Sequence, residues 1–204
     1  MQNRKSVSRI LLVVSLVSFG FLSCVSGPTA KERKMAEIEY DMGVNSLQAG
    51  NLKDALQNFK NSEKIYPEFP KVQNGLGLAY YFLRNFEKAI HHFDLALKYK
   101  PDYSEVLNSK ARIYMDQGRF RQAIPLLRKA LEDVFLPERF HAESNLGWCL
   151  FNTGQTEDGF RHVQNAIAQN EKYCVGYQYL GRMYQKQKKF TEAIRELTQL
   201  VELE

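Results

Sequence analysis

Small and bulky apolar residues recur along this 204-residue chain at nearly constant intervals. Each interval opens with a small residue, and the successive spacings are 34, 34, 36 and 34 residues: Gly43, Gly77, Ala111, Gly147 and Gly181. Twelve residues later lies a second small residue, and four positions after that a bulky apolar one: Phe59, Phe93, Leu127, Val163 and Leu197. Spacings of three and four place side chains on one helix face. The pattern predicts antiparallel helix pairs, with small residues at close crossings and the bulky residue between neighbouring pairs.

Prolines and glycines mark the ends of the predicted helices. Pro67 and Pro101 close the second helices of the first two pairs, because proline cannot continue a helix. Gly50, Gly118 and Gly154 fall in the turn between paired helices, where a left-handed conformation is often needed. We therefore expect five units, of which the third is two residues longer than its neighbours: 36–69, 70–103, 104–139, 140–173 and 174–204.

A period near 34 residues is typical of tetratricopeptide repeats (TPRs), and the chain resembles that family from residue 36 onward. The resemblance implies an all-α fold, a TPR solenoid of about five helix-turn-helix repeats that forms a right-handed superhelix. Such solenoids bind other proteins, so the resemblance favours a protein partner over a catalytic function.

The N-terminal segment has the pattern of a secretory signal. Arg4, Lys5 and Arg9 precede an apolar run of 13 residues, Ile10–Leu22. That run is too short to span a membrane as a helix, and its basic flank is typical of a signal peptide.

Cys24 follows this run directly, and the sequence there resembles a lipobox, in which the cysteine is lipidated upon cleavage. We expect a lipoprotein signal peptide at 1–23, a tether at 24–35 and a membrane anchor on Cys24. A plain cleaved signal and an uncleaved anchor are the alternatives. Val25 is not the aspartate typical of inner-membrane retention, which favours the outer membrane, with the solenoid facing the periplasm.

Charge and residue chemistry exclude several function classes. The signal contains three of the 28 basic residues and none of the 23 acidic ones, so the rest of the chain has a net charge near +2. A charge this small does not indicate nucleic-acid binding. No nucleophile–base pair, phosphate-binding loop or zinc-like histidine spacing stands out. We therefore expect no enzyme activity, metal, cofactor or small-molecule substrate.

Two further cysteines are predicted on parallel helices, where their nine-position offset separates them by about 13 Å. A disulfide tolerates a Cα separation of only about 7 Å. Cys149 and Cys174 are therefore expected to be separate, mostly buried thiols, and an oxidised pair is the alternative.

The TPR resemblance implies that the first helix of each unit lines a concave groove. The family's ligand-facing positions are the fifth, ninth, twelfth and thirteenth of each unit. We select from them these candidate partner-binding residues: Tyr40, Val44, Leu47, Asn74, Leu78, Tyr81, Phe82, Trp148 and Phe151. Their apolar character favours a hydrophobic helix or strand of a partner. The alternative is that they pack against neighbouring units.

One junction carries a narrower resemblance. The stretch 131–139, Leu-Glu-Asp-Val-Phe-Leu-Pro-Glu-Arg, followed by Asn145-Leu146-Gly147, resembles the PilF/PilW/Tgl family of type IV pilus lipoproteins. That family has a similar longer third unit, although it usually carries six repeats and five are predicted here. The resemblance implies a pilotin, which brings secretin subunits to the outer membrane and promotes their multimer assembly for pilus biogenesis and twitching or social gliding motility. The alternative is a general periplasmic adaptor that scaffolds envelope or peptidoglycan-enzyme complexes.

Overall fold

Ten α-helices make up the structure, which is a computed structural model describing residues 27–202, with side chains described to residue 199. No strand occurs in those residues. The helices are α1 (Ala30–Gln48), α2 (Leu52–Ile65), α3 (Pro70–Phe82), α4 (Phe86–Tyr99), α5 (Ser104–Asp116), α6 (Phe120–Ala130), α7 (Arg139–Asn152), α8 (Thr156–Gln169), α9 (Cys174–Lys186) and α10 (Phe190–Glu202). None of the helices in this part of the chain is both long and apolar enough to cross a membrane. The predicted signal peptide and Cys24 lie outside the described residues.

The helices form five consecutive pairs, and each pair packs against the next. Small residues make the crossings within a pair possible. At Gly43 of α1 a Cβ atom would lie 2.5 Å from the Phe59 ring of α2. At Gly147 of α7 it would lie 2.6 Å from the backbone oxygen of Gly159 in α8. The predicted all-α TPR solenoid is therefore confirmed.

The core is divided into four clusters, each built where neighbouring units meet. The bulky residue of each of the first four units is fully buried there: Phe59, Phe93, Leu127 and Val163. Leu197, the fifth residue of this set, is 42% exposed, because no later helix of the described residues packs on α10.

Helix α1 begins at Ala30, six residues before the predicted first unit and inside the range expected to be tether. A capping box starts it. The Thr29 N–H donates to the Glu32 carboxylate at 2.7 Å, and the Glu32 N–H donates to the Thr29 hydroxyl oxygen at 3.2 Å. The expected tether at 24–35 is thus helical from residue 30, because a local helix-start signal acts independently of the repeat period.

The junction between α6 and α7 has a fixed form. Leu136 is 6% exposed and packs into the cluster shared by the third and fourth units. Asp133 accepts a hydrogen bond from the Phe135 N–H at 2.9 Å, and its backbone oxygen accepts one from Arg139 at 2.9 Å. Phe135 is 89% exposed, so the junction presents an apolar side chain to solvent.

Candidate partner-binding groove

The first helices of the five units form one face of the solenoid. Each contacts the first helix of the next unit, in the series α1, α3, α5, α7 and α9. No two second helices contact each other in residues 27–202. The stack therefore curves with the first helices on its inner side. All nine candidate residues lie on α1, α3 or α7.

The three candidates on α1 are half-buried rather than open. Tyr40, Val44 and Leu47 pack on the cluster between the first two units. The Tyr40 ring centroid lies 5.9 Å from that of Phe59 and 5.7 Å from that of Phe69. This burial raises the pKa of Tyr40. Much of their apolar surface is therefore buried against other residues of the solenoid. This agrees with the alternative that these side chains pack against neighbouring units.

Tyr81 on α3 is covered by charged side chains from the next unit. Its hydroxyl donates to Asp116 at 2.9 Å, and Arg84 contacts the same carboxylate at 3.2 Å. The Arg112 guanidinium lies 5.2 Å from the Tyr81 ring centroid, within the range of a cation–π contact. Burial raises the pKa of Tyr81, and the positive charge of Arg112 opposes that rise. This position therefore presents a polar edge to the groove.

Two other α3 candidates differ from Tyr81. Phe82 is 51% exposed, so it is the open apolar member of the set. Leu78 is half-buried and packs on the cluster of the second unit. Asn74 is also half-buried, yet its side-chain oxygen is buried and finds no hydrogen-bond partner within the described chain. A buried acceptor without a partner costs free energy, and this oxygen faces the interior of the solenoid, out of reach of a surface-bound partner.

The α7 candidates form a stacked aromatic group with a cation above it. Trp148 stacks on Tyr179 of α9, with centroids 4.9 Å apart and an interplanar angle of 12°. The ammonium nitrogen of Lys186 lies 5.1 Å from the Trp148 centroid and 5.9 Å from that of Phe151. It also donates to Asn152 at 2.6 Å. Burial raises the pKa of Tyr179.

The candidate set omits a pocket of about 400 Å³ between α5, α7, α9 and the junction, whose wall contains both polar and apolar groups. Asn145 donates to Asn108 at 3.0 Å in its wall, and the Tyr179 hydroxyl donates to Asn145 at 3.4 Å. Arg112 and His141 also line it, and burial lowers the pKa of His141. Because three units and a loop contribute residues to this pocket, the pattern within one unit does not predict it. The sequence feature that could have indicated it is the polar character of the ligand-facing positions in the third unit.

Reactive groups are sparse in residues 27–202. No group of three or more His, Cys, Asp or Glu side chains there could hold a metal ion. Cys149 and Cys174 are free thiols, the first buried and the second half-buried. Burial raises the pKa of Cys149 to about 12, so its thiol is protonated and unreactive at neutral pH.

Solved structures of similar shape include two pilus proteins. Pseudomonas aeruginosa PilF has a TM-score of 0.76 at 17% identity, over 85% of this chain and 78% of that one. PilW, described as a widely conserved type IV pilus biogenesis factor, has a TM-score of 0.77 at 19% identity, over 82% and 77%. MamA of Desulfovibrio magneticus gives 0.69 at 22% identity, over 83% and 94%. At these identities the likeness shows a shared fold.

Comparisons at the sequence level find repeat proteins. BBSome complex member BBS4 of Bos taurus is 25% identical over 146 residues, which cover 71% of this chain and 27% of that protein. The peroxisomal targeting signal receptor of Eremothecium gossypii is 28% identical over 102 residues, covering 50% and 18%. The chain thus spans about a quarter or less of the length of these curated relatives. Two family models, both described as tetratricopeptide repeat, match residues 46–113 and 108–172. The chain belongs to the tetratricopeptide repeat family, whose fold serves protein–protein interaction.

Proposed function

We propose that this protein is an outer-membrane lipoprotein that acts as a pilotin. It binds secretin subunits through its inner face and promotes their multimer assembly for type IV pilus biogenesis and motility. The observation that carries the proposal is the junction at 131–139, whose sequence resembles that of the PilF/PilW/Tgl lipoproteins. The shared fold with PilF and PilW supports it.

The contact with secretin is proposed at the α3 part of the groove. Phe82 offers open apolar surface there. An extended or helical apolar segment of a secretin subunit would cover the Phe82 ring. Such a contact shields the segment from water until the subunits assemble.

The anchor is proposed at Cys24. Each acyl CH₂ buried in the bilayer contributes about 0.8 kcal/mol, so the triacyl group of a bacterial lipoprotein holds the solenoid at the membrane durably. A single chain would bind only marginally. The anchor therefore supplies the location, and the groove supplies the selectivity.

The test measures heat-resistant secretin multimers in outer membranes from cells carrying the wild type, Cys24→Ala or Phe82→Glu. Phe82 is chosen because it is exposed, so the substitution leaves the core intact. Leu83→Glu is the matched control, since Leu83 directly follows α3, is 47% exposed and is not one of the ligand-facing positions. We expect multimers to fall in the first two variants and to persist in the control.

Multimers at the wild-type level in both Cys24→Ala and Phe82→Glu cells, with the proteins present and folded, would refute the pilotin. A pulldown dominated by envelope hydrolases in place of secretin would then support the general periplasmic adaptor.

A further inference from the structure

The first and last of the described helices carry exposed apolar stripes. On α1, Met35, Ile38 and Met42 are 47%, 49% and 49% exposed. On α10, Phe190, Ile194 and Leu197 are 59%, 66% and 42% exposed. Spacings of three and four residues place each trio on one side of its helix. In a solenoid, apolar faces of this kind are covered by an adjoining helix, so these stripes are candidate docking surfaces.

The α1 stripe matches an internal interface of the same chain. The residues 34 positions later are Phe69, Val72 and Leu76, at or in the start of α3. Val72 and Leu76 are fully buried in one cluster with Ala55 and Phe59 of α2. The exposed stripe of α1 therefore corresponds to the side of α3 that packs against α2, the second helix of the preceding unit.

The α10 stripe matches the opposite half of that interface. Its counterparts in the second unit are Phe86, Ile90 and Phe93 on α4. Phe93 is fully buried in one cluster with Val106 of α5, and Phe86 and Ile90 pack against that cluster. The exposed stripe of α10 therefore corresponds to the side of α4 that packs against α5, the first helix of the following unit.

We propose that the occupant of each stripe is a second copy of this chain, with α10 of one copy packed on α1 of the next. This contact would have the same form as the interface between neighbouring units within the chain. Each chain has both surfaces that it needs, one on α1 and the other on α10. Because the two halves differ, the contact is heterologous and extends head to tail.

Side-chain sizes agree with this packing. Leu197 stands where the first unit has Phe59, and Asp41 stands where α3 has Gly75, the residue at which a Cβ would lie 2.7 Å from the Phe59 ring. The smaller leucine leaves room for the aspartate. The interface between the third and fourth units has a leucine and a neutral amide of similar size at the corresponding positions, Leu127 and the buried Asn145.

A cysteine pair tests the contact in the full-length chain in its membrane. In a Cys174→Ser background, which removes the half-buried native thiol, the Met42→Cys/Leu197→Cys variant should form a ladder of disulfide-linked dimers and longer species on oxidation. Each single variant should form no ladder, because the two positions meet only between different faces. The Leu83→Cys/Val134→Cys variant controls for random encounter, since these side chains are 47% and 75% exposed and lie outside both stripes and the proposed secretin contact.

A mixing experiment tests the head-to-tail geometry. One chain carries Met42→Cys with its α10 face blocked by Ile194→Lys, and the other carries Leu197→Cys with its α1 face blocked by Ile38→Lys. Together they should give a linked dimer and nothing longer, whereas each alone should stay unlinked.

The proposal is overturned if the Met42/Leu197 pair forms no more ladder than the control pair while circular dichroism shows folded helices. It is equally overturned if a single variant forms the ladder, or if the cysteines link to a different protein. All of these measurements are independent of secretin, so their failure would leave the pilotin proposal standing.

Discussion

Gly147 shows how one residue sets the distance between two helices. A Cβ atom there would lie 2.6 Å from the Gly159 backbone oxygen and 2.9 Å from the Val163 backbone nitrogen. Backbone atoms cannot rotate away as a side-chain end can. The fourth unit therefore has glycine at both small positions, where the other units combine glycine or alanine with alanine.

Replacing this glycine should destabilise the protein. In an open helix, Gly→Ala adds up to about 1 kcal/mol of stability. In Gly147→Ala, overpacking against α8 opposes that gain with about 1–3 kcal/mol, and we expect a net loss. Urea unfolding followed by circular dichroism measures the change. Gly27→Ala is the control, because a Cβ there meets no atom within 4 Å. Unchanged midpoints in both variants would mean that α7 and α8 can separate freely.

Trp148 is the only tryptophan of the chain and reports on the cation above it. Removing the charge in Lys186→Met should shift the tryptophan emission and lower the free energy of unfolding by no more than about 1 kcal/mol, as for an exposed cation–π contact. Lys189→Met serves as the control, because Lys189 is exposed and its ammonium group lies over no aromatic ring of residues 27–199. Identical emission spectra for wild type and Lys186→Met would show that the ammonium group does not lie over the indole in solution.

Helix boundaries show which elements the sequence could predict. The repeat period and the turn residues place all five helix pairs, because the same small–bulky spacing must recur wherever helices cross at the same distance. It does not place the start of α1, which Thr29 and Glu32 set locally. Nor does it reveal the covering of groove aromatics, because Arg112 and Lys186 belong to the unit after the ring that each covers. A prediction made from the apolar positions of each unit separately therefore overestimates the apolar surface that is exposed in the groove.

The start of α1 should depend on pH. The hydrogen bond from the Thr29 N–H lowers the pKa of Glu32 below its usual 4.5. A lowered folded-state pKa means that the stabilisation is present above the ordinary pKa and is lost as pH falls through the lower value. In NMR titrations the Thr29 amide shift should therefore move with a midpoint below 4.5. Glu32→Gln should abolish this titration; a midpoint at or above the usual value would argue against the capping box.

The core of residues 27–199 is divided among the repeat units. Its four clusters each join neighbouring units, so stability is close to a sum of nearest-neighbour contacts. A substitution in the middle of the stack weakens contacts on both sides of its unit. On the outer side of α10, no further unit packs within residues 27–202, so a substitution there affects contacts on one side only. The position of a residue in the stack thus decides its contribution as much as its side chain does.

Leu127 and Leu197 occupy the same position in different units. Comparing them tests whether stability is a sum of contacts between neighbouring units. Leu127 is fully buried in the cluster of the third and fourth units, and Leu197 is 42% exposed. Leu127→Ala should cost about 2–5 kcal/mol, the range for a buried leucine. Leu197→Ala should cost well under half of that in dilute monomer, because part of its surface already faces water. Urea unfolding at low protein concentration compares them. Equal losses would contradict the nearest-neighbour account, since they would mean that the end unit is held as firmly as the middle.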